Sequence, residues 1–265
     1  MLGRARPAYS FLRVLYGEGL VIGYGGDPVA SKVDFSLSSG EILAVIGYNG
    51  SGKSTLVKSI LGVTPLLGGR LRWDAGRPTT PVGYLGQLTD FDRRFPMRVI
   101  DLAATGGWSQ LGFFEGAGRR ARRNAEAALE RVGLADAADM PLHQLSAGQL
   151  QRALFARTIM QDAQLIILDE PFAAVDQSTE ADLMALILDW SRQGCALILV
   201  MHNLSAVLEH CSSVLLMGRG GAAFGPTHEV LIPEQLVGLG YMAADKPYLN
   251  ATAASTSAAK VGKYV

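Results

Sequence analysis

Lys53 followed by Ser54, the adjacent carboxylates Asp169-Glu170 and the imidazole of His202 are residues whose types and neighbours suit phosphate chemistry. Lys53 and Ser54 belong to Gly47-Tyr48-Asn49-Gly50-Ser51-Gly52-Lys53-Ser54-Thr55, which spells G-x-x-x-x-G-K-S. Glycines let a loop curl until successive N–H groups face one point. The N-terminus of a following helix adds partial positive charge there. Lys53 is then expected to reach the β- and γ-phosphates of a nucleotide, and Ser54 to place its hydroxyl on Mg²⁺. The plain alternative, a glycine-rich turn, leaves the Lys53-Ser54 register unexplained.

Asp169-Glu170 follow the apolar run Leu165-Ile166-Ile167-Leu168. Two carboxylates at the tip of a buried strand are costly unless a cation compensates them. Asp169 fits a Mg²⁺-holding role, which leaves Glu170 to orient or deprotonate an attacking water. His202 follows a second such run, Leu197-Ile198-Leu199-Val200-Met201. In open α/β sheets ligands gather at the carboxyl ends of strands, so His202 is read as a contact to the γ-phosphate. The plain readings are a solvated strand end and a structural histidine.

Leu145-Ser146-Ala147-Gly148-Gln149 precedes an apolar-periodic helix over 150–160. Ser146 and Gln149 are spaced for a capping box. The small Ala147 and Gly148 equally suit a second helix N-terminus open to a phosphate, and spacing alone does not choose.

The elements that must position these groups read as follows. Strands are expected at 20–24, 33–37, 41–46, 71–73, 82–85, 165–168, 197–201, 213–217 and 222–224, and a turn at Gly25-Gly26-Asp27-Pro28. Helices are expected over 56–61, 97–104, 119–132, 150–160 and 178–193, with 108–118 irregular. Continuous apolar strands alternating with helices predict an α/β fold around a parallel sheet. Tyr24, at a strand end, is a candidate to stack on adenine, against the plain reading of a packing residue with a wet hydroxyl.

Bulk properties narrow the class. Lys+Arg and Asp+Glu balance at 24 each, which argues against a protein built mainly to hold nucleic acid. The one basic cluster, Arg119-Arg120-Ala121-Arg122-Arg123, reads as a solvated helix face. The two cysteines, Cys195 and Cys211, show no metal or C-x-x-C spacing and read as reduced core thiols. No apolar run approaches the ~20 residues of a membrane span. Residues 1–10 lack the apolar core of a signal peptide, and 251–265 read as a flexible tail.

Taken in order, residues 47–54, 145–149, 165–170 and His202 resemble the ATP-binding subunit of ABC transporters, over about 11–245. The resemblance implies a P-loop NTPase fold of α/β class: a RecA-like core, an antiparallel β subdomain and an inserted helical subdomain spanning about 87–161. Residues 1–10 are then an N-terminal extension and 246–265 a tail. It implies ATP and Mg²⁺ as cofactors and assigns roles by position. Tyr24 matches the adenine-stacking aromatic. Gln87 matches the glutamine that touches Mg²⁺ and signals to the membrane partner. Ser146, Gly148 and Gln149 match the signature motif, Asp176 the aspartate at the dimer seam, and His202 the switch histidine. It further implies a homodimer with ATP between Lys53 of one copy and Ser146 of the other. Integral membrane permease subunits, a solute-binding protein and a place on the cytoplasmic face of the plasma membrane complete the expectation, with no nucleic acid.

A narrower resemblance rests on Phe95-Pro96-Met97-Arg98-Val99-Ile100-Asp101-Leu102, Gly106, Leu111-Gly112-Phe113-Phe114 and Pro171-Phe172-Ala173-Ala174-Val175-Asp176. These look like the ATPases of zinc or manganese importers, which implies a divalent metal as cargo. The departures are Ala147 for the commoner glycine, Gly86 for proline before the glutamine, and Tyr48 for proline in the P-loop. A soluble ABC-type ATPase acting on nucleic acid or ribosomes, a P-loop kinase and a non-hydrolysing nucleotide-binding module are the rival readings. The single cassette, residues 145–149 and Glu170, respectively, argue against them.

Overall fold

The computed structural model describes residues 13–74, 82–108, 117–219 and 221–241. The expected N-terminal extension, the aromatics Phe113 and Phe114 and the tail 246–265 lie outside the described residues.

Five apolar strands make the frame. β3 (Ile42–Gly47), β5 (Gly83–Leu85), β6 (Leu165–Asp169), β7 (Ala196–Val200) and β8 (Ser213–Gly218) run parallel, and β9 (Gly221–Pro226) closes the edge antiparallel. Their order is β5-β6-β7-β3-β8-β9. β3, β6, β7 and β8 are buried at every residue, as continuous Val/Ile/Leu runs require when both sheet faces are covered. Alternate residues serve opposite faces. Ile42, Ala44 and Ile46 of β3 join the cluster that holds helices α2 (Val99–Thr105), α3 (Ala117–Arg131), α4 (Ala147–Met160) and α5 (Gln177–Arg192). Leu43 and Val45 join the cluster formed with α1 (Lys53–Leu61) and a second sheet. That second sheet is antiparallel, β2-β1-β4, from β1 (Arg13–Tyr24), β2 (Asp27–Ser38) and β4 (Gly68–Trp73).

Helices α2, α3 and α4 pack on one another, and Phe155 of α4 stacks on Trp190 of α5 with ring centroids 6.2 Å apart. Thus the inserted helices share one apolar cluster with the main sheet. Arg119, Arg120, Arg122 and Arg123 lie on the exposed face of α3, opposite the buried Ala121, Ala125 and Leu129. Arg122 pairs with Glu126 and Asp139. Cys195 and Cys211 are buried thiols, and burial pushes the Cys211 thiol up to about 12.

The expected strands and helices are present, and the differences are local. The turn is Gly25-Gly26 alone, because Pro28 pairs with Gly23 and Asp27 with Tyr24 inside β2. β1 is more than twice the expected length: its N-terminal half pairs with both β2 and β4 although it carries Tyr16, Gly17 and Glu18 in place of apolar alternation. α1 starts at Lys53, three residues before its apolar pattern does. Three short helices, α6 (Leu204–His210), α7 (Thr227–Val230) and α8 (Pro233–Gly238), had not been expected; each is shorter than the window of about 11–18 residues over which helical periodicity is read.

Candidate functional site

The C-terminal ends of four neighbouring strands, β5, β6, β7 and β3, carry Gln87, Asp169-Glu170, His202 and the glycine loop 47–52. This is the edge at which open α/β sheets hold ligands.

The loop is shaped by backbone demands that only glycine meets. Gly52 caps α1 at φ 99°, a left-handed conformation that L side chains rarely adopt. At Gly47 an added Cβ would stand 2.4 Å from Met217 O and 2.4 Å from Ser51 Oγ. Within the loop Ser51 is buried, and its Oγ is without a hydrogen-bond partner among the described residues. A buried polar atom left unmatched in a concave loop at a helix N-terminus is suited to an anion. Lys53 is only 7 % exposed and its Nζ donates to Gly47 O at 2.8 Å and Tyr48 O at 3.2 Å. Burial pulls its pKa below the ordinary lysine value, and the charges of Glu170 and Asp169 oppose that shift. Ser54 is exposed in the first turn of α1, and Thr55 is buried behind it.

Asp169 is 3 % exposed at the tip of β6. Glu170 leaves the sheet with its N–H bonded to Val200 O at 3.1 Å and a φ of 52°, a strained conformation for a residue with a Cβ. Its Oε1 receives two neighbours: Gln87 Nε2 donates at 3.3 Å and His202 Nε2 lies at 2.9 Å. Thus side chains from two strand ends converge on one carboxyl oxygen at the end of a third. Tyr241 Oη donates to His202 O at 3.2 Å.

Tyr24 ends β1 with 49 % of its surface exposed, and its hydroxyl accepts from Thr55 Oγ1 at 3.5 Å. That bond, foremost, and the Lys58 charge lower its pKa against the opposing effect of burial. An exposed ring anchored at its hydroxyl beside α1 leaves a face for a planar base.

Ser146-Ala147-Gly148-Gln149 stands elsewhere. The capping box is complete: Gln149 N donates to Ser146 Oγ at 3.1 Å and Ser146 N to Gln149 Oε1 at 2.9 Å. A Cβ added to Gly148 would lie 3.5 Å from Ala174 O, so the start of α4 packs beside the segment that follows Glu170. Asp176 caps α5, accepting from Thr179 N at 2.9 Å, and its hydrogen bonds from Ser178 and Thr179 hold the carboxyl well below the usual carboxylate range. Two further residues touch these motifs without having been expected. Arg93 Nη1 donates to Leu145 O at 3.5 Å, and the buried Gln151 Nε2 donates to Pro171 O at 2.7 Å. Gln151 sits among Leu150, Ala153 and Leu154 in sequence, and a polar residue on a buried face was its one available signal.

The profile of the ABC transporter family matches residues 30–173. The chain belongs to the ABC transporter family. It is an ATP-binding, ATP-hydrolysing cassette of P-loop α/β fold. It is 33 % identical over 222 residues to the manganese transport system ATP-binding protein MntB of Bacillus subtilis, covering 83 % of this chain and 89 % of that one. It is 38 % identical over 204 residues to the zinc transport system ATP-binding protein TroB of Treponema pallidum, 76 % of each chain. Among solved structures, an ABC transporter assigned to the metal-chelate type, in an inward-facing conformation, superposes with a TM-score of 0.76. That match has 28 % identity over 87 % of this chain and 90 % of the other. Among the described residues of this ABC cassette, no helix is long and apolar enough to cross a membrane.

Proposed function

We propose that this cassette powers a membrane importer for a divalent metal ion, zinc or manganese, as a homodimer that closes on ATP. The carrying observation is the convergence of Gln87 and His202 on Oε1 of Glu170, at the strand ends beside the loop of Lys53. In this reading Gly47, Asn49, Gly50, Ser51 and Gly52 surround the phosphates with N–H groups, and Tyr24 stacks on the adenine. Lys53 turns its ammonium from two carbonyls to the β- and γ-phosphates.

The exposed Ser54 hydroxyl, the buried Asp169 carboxylate and the Gln87 amide oxygen are hard oxygen donors, the set that suits Mg²⁺. When bound, Mg²⁺ neutralises charge on the β- and γ-phosphate oxygens. Glu170 accepts a proton from water as the water oxygen bonds to the γ-phosphorus. The bond from that phosphorus to the bridging oxygen breaks, leaving ADP and phosphate. His202 orients Glu170 and comes within reach of the γ-phosphate.

The motif Ser146–Gln149 lies beside Ala174 and Val175, and its two side-chain bonds are internal to the motif. In this reading its helix N-terminus acts on a phosphate held by a second copy, with Asp176 at the seam. Hydrolysis removes the shared anion and loosens that grip, so ATP acts as a ligand that favours the closed dimer over the open one. Permease subunits bound at the membrane's cytoplasmic face receive the motion, with a solute-binding protein delivering the ion.

The metal cargo rests on the manganese and zinc systems named for the relatives. The test is transport with the cognate permease in liposomes across a panel of divalent ions. Uptake preferring zinc or manganese is expected, and uptake without preference among the ions refutes the cargo assignment.

A further inference from the structure

Gln151 lies on α4, five residues beyond Ser146, and is 0 % exposed. Its Nε2 donates to Pro171 O at 2.7 Å, whereas its Oε1 has no hydrogen-bond partner among the described residues. A buried amide with its acceptor unmet is less favourable to the fold than an apolar side chain of the same length. Core stability therefore does not account for a glutamine at this position. The bond it makes does.

Pro171 directly follows Glu170 and has no N–H, so its carbonyl is the one backbone group by which it can be tethered. The segment from Glu170 to Asp176 holds two left-handed residues with side chains, Glu170 at φ 52° and Ala174 at φ 62°. Such conformations persist only where the surroundings over-determine them. Glu170 N to Val200 O ties the segment to β7, and Ala173 N to Glu170 O ties it to itself. The Gln151 bond ties it to α4. The first turn of α4 packs on the same segment, with the Cα of Gly148 facing Ala174 O.

We propose that Gln151 is a positioning residue that ties the orientation of α4 to the backbone of Glu170. Seating of Ser146–Gln149 on the partner copy's nucleotide then sets the carboxyl of this copy's own site. The inference rests on the dimeric reading above and adds the route by which one ATP site reports to the other. Because coupling between two binding sites is reciprocal, ATP at either site favours ATP at the other.

The test is Gln151→Met in the full-length chain, a residue of matching length with no donor. Expected is a loss of kcat of about tenfold or more, the scale on which misplacing a reacting group is felt. The intrinsic affinity of a single site for ATP stays unchanged and the Hill coefficient for ATP falls toward one. Added to Glu170→Gln, the same substitution costs nothing further, because a residue that acts through Glu170 has no effect once that carboxyl is gone. An unchanged kcat and Hill coefficient overturns the proposal, and so does an equal fractional loss in both backgrounds.

Should Gln151→Met fail to fold, Gln151→Glu decides. A buried carboxyl titrates high; neutral, it donates to Pro171 O, and ionised it cannot. Its rate relative to the parent is expected to fall as pH rises, and a flat ratio overturns the proposal. If Glu170→Gln alone leaves turnover intact, the assignment of Glu170 fails. If Glu170→Gln abolishes turnover while Gln151→Met does nothing, only the coupling fails.

Discussion

Replacing Glu170 by glutamine separates geometry from proton transfer at this site. The introduced amide keeps an oxygen for Gln87 Nε2 and His202 Nε2, which now lie 3.3 Å and 2.9 Å from Oε1. It also retains the side-chain length and leaves the strained backbone at φ 52° unaltered. What disappears is the basic oxygen and its negative charge. A positioned general base contributes about 10²–10⁴-fold. At about 1.36 kcal/mol per factor of ten, the barrier rises by about 2.7–5.4 kcal/mol. The lost charge acts on binding in two opposing ways. Lys53 loses one of the two carboxylates that favour its protonated form. The polyphosphate, in turn, loses a like-charged neighbour, and its own charge restores the lysine. ATP affinity is therefore expected to hold or improve while kcat collapses. Phosphate release at saturating Mg-ATP reads the first quantity, titration calorimetry the second, and gel filtration with ATP shows a trapped dimer. Turnover equal to that of the parent would falsify the base assignment. A parallel loss of affinity and kcat would refute it differently, by making Glu170 a binding group rather than one used in the transition state.

Lys53→Ala is expected to abolish measurable ATP binding in the same calorimetric titration, because the buried ammonium is the one full charge the loop contributes; normal affinity would remove the phosphate role of 47–55. Ser146→Ala breaks the capping box and is expected to lower stability by about 1 kcal/mol in denaturant titrations. In the proposed dimer the helix N-terminus also serves the facing copy, and ATP hydrolysis is then expected to fall far more than that loss of stability accounts for. Full activity in a protein destabilised only by the missing cap would leave Ser146 a structural residue.

Much of this cassette was legible as residue order. β3, β6, β7 and β8 are buried on both faces, so their apolar runs could not be mistaken for half-exposed strands. The glycine loop was legible because its chemistry is local: Gly52 permits the φ of 99° at the start of α1, and Lys53 follows it by one position. The capping box was legible for the same reason, as a bond between residues three apart. β1's N-terminal half was not, because Tyr16, Gly17 and Glu18 have no strand pattern of their own and are held between β2 and β4. The short helices α6, α7 and α8 fall below the length at which periodicity speaks.

The sequence by itself determined that the glycine loop, Asp169-Glu170 and His202 each follow a buried apolar run. Only the tertiary structure decided that Gln87 and His202, 115 positions apart by their numbering, meet on one oxygen of Glu170. Only it decided that Gln151 grips the carbonyl of Pro171. The reason is strand order. Hydrogen bonding places β5, β6 and β7 side by side, and that order fixes which tips are neighbours. No spacing along the chain encodes it.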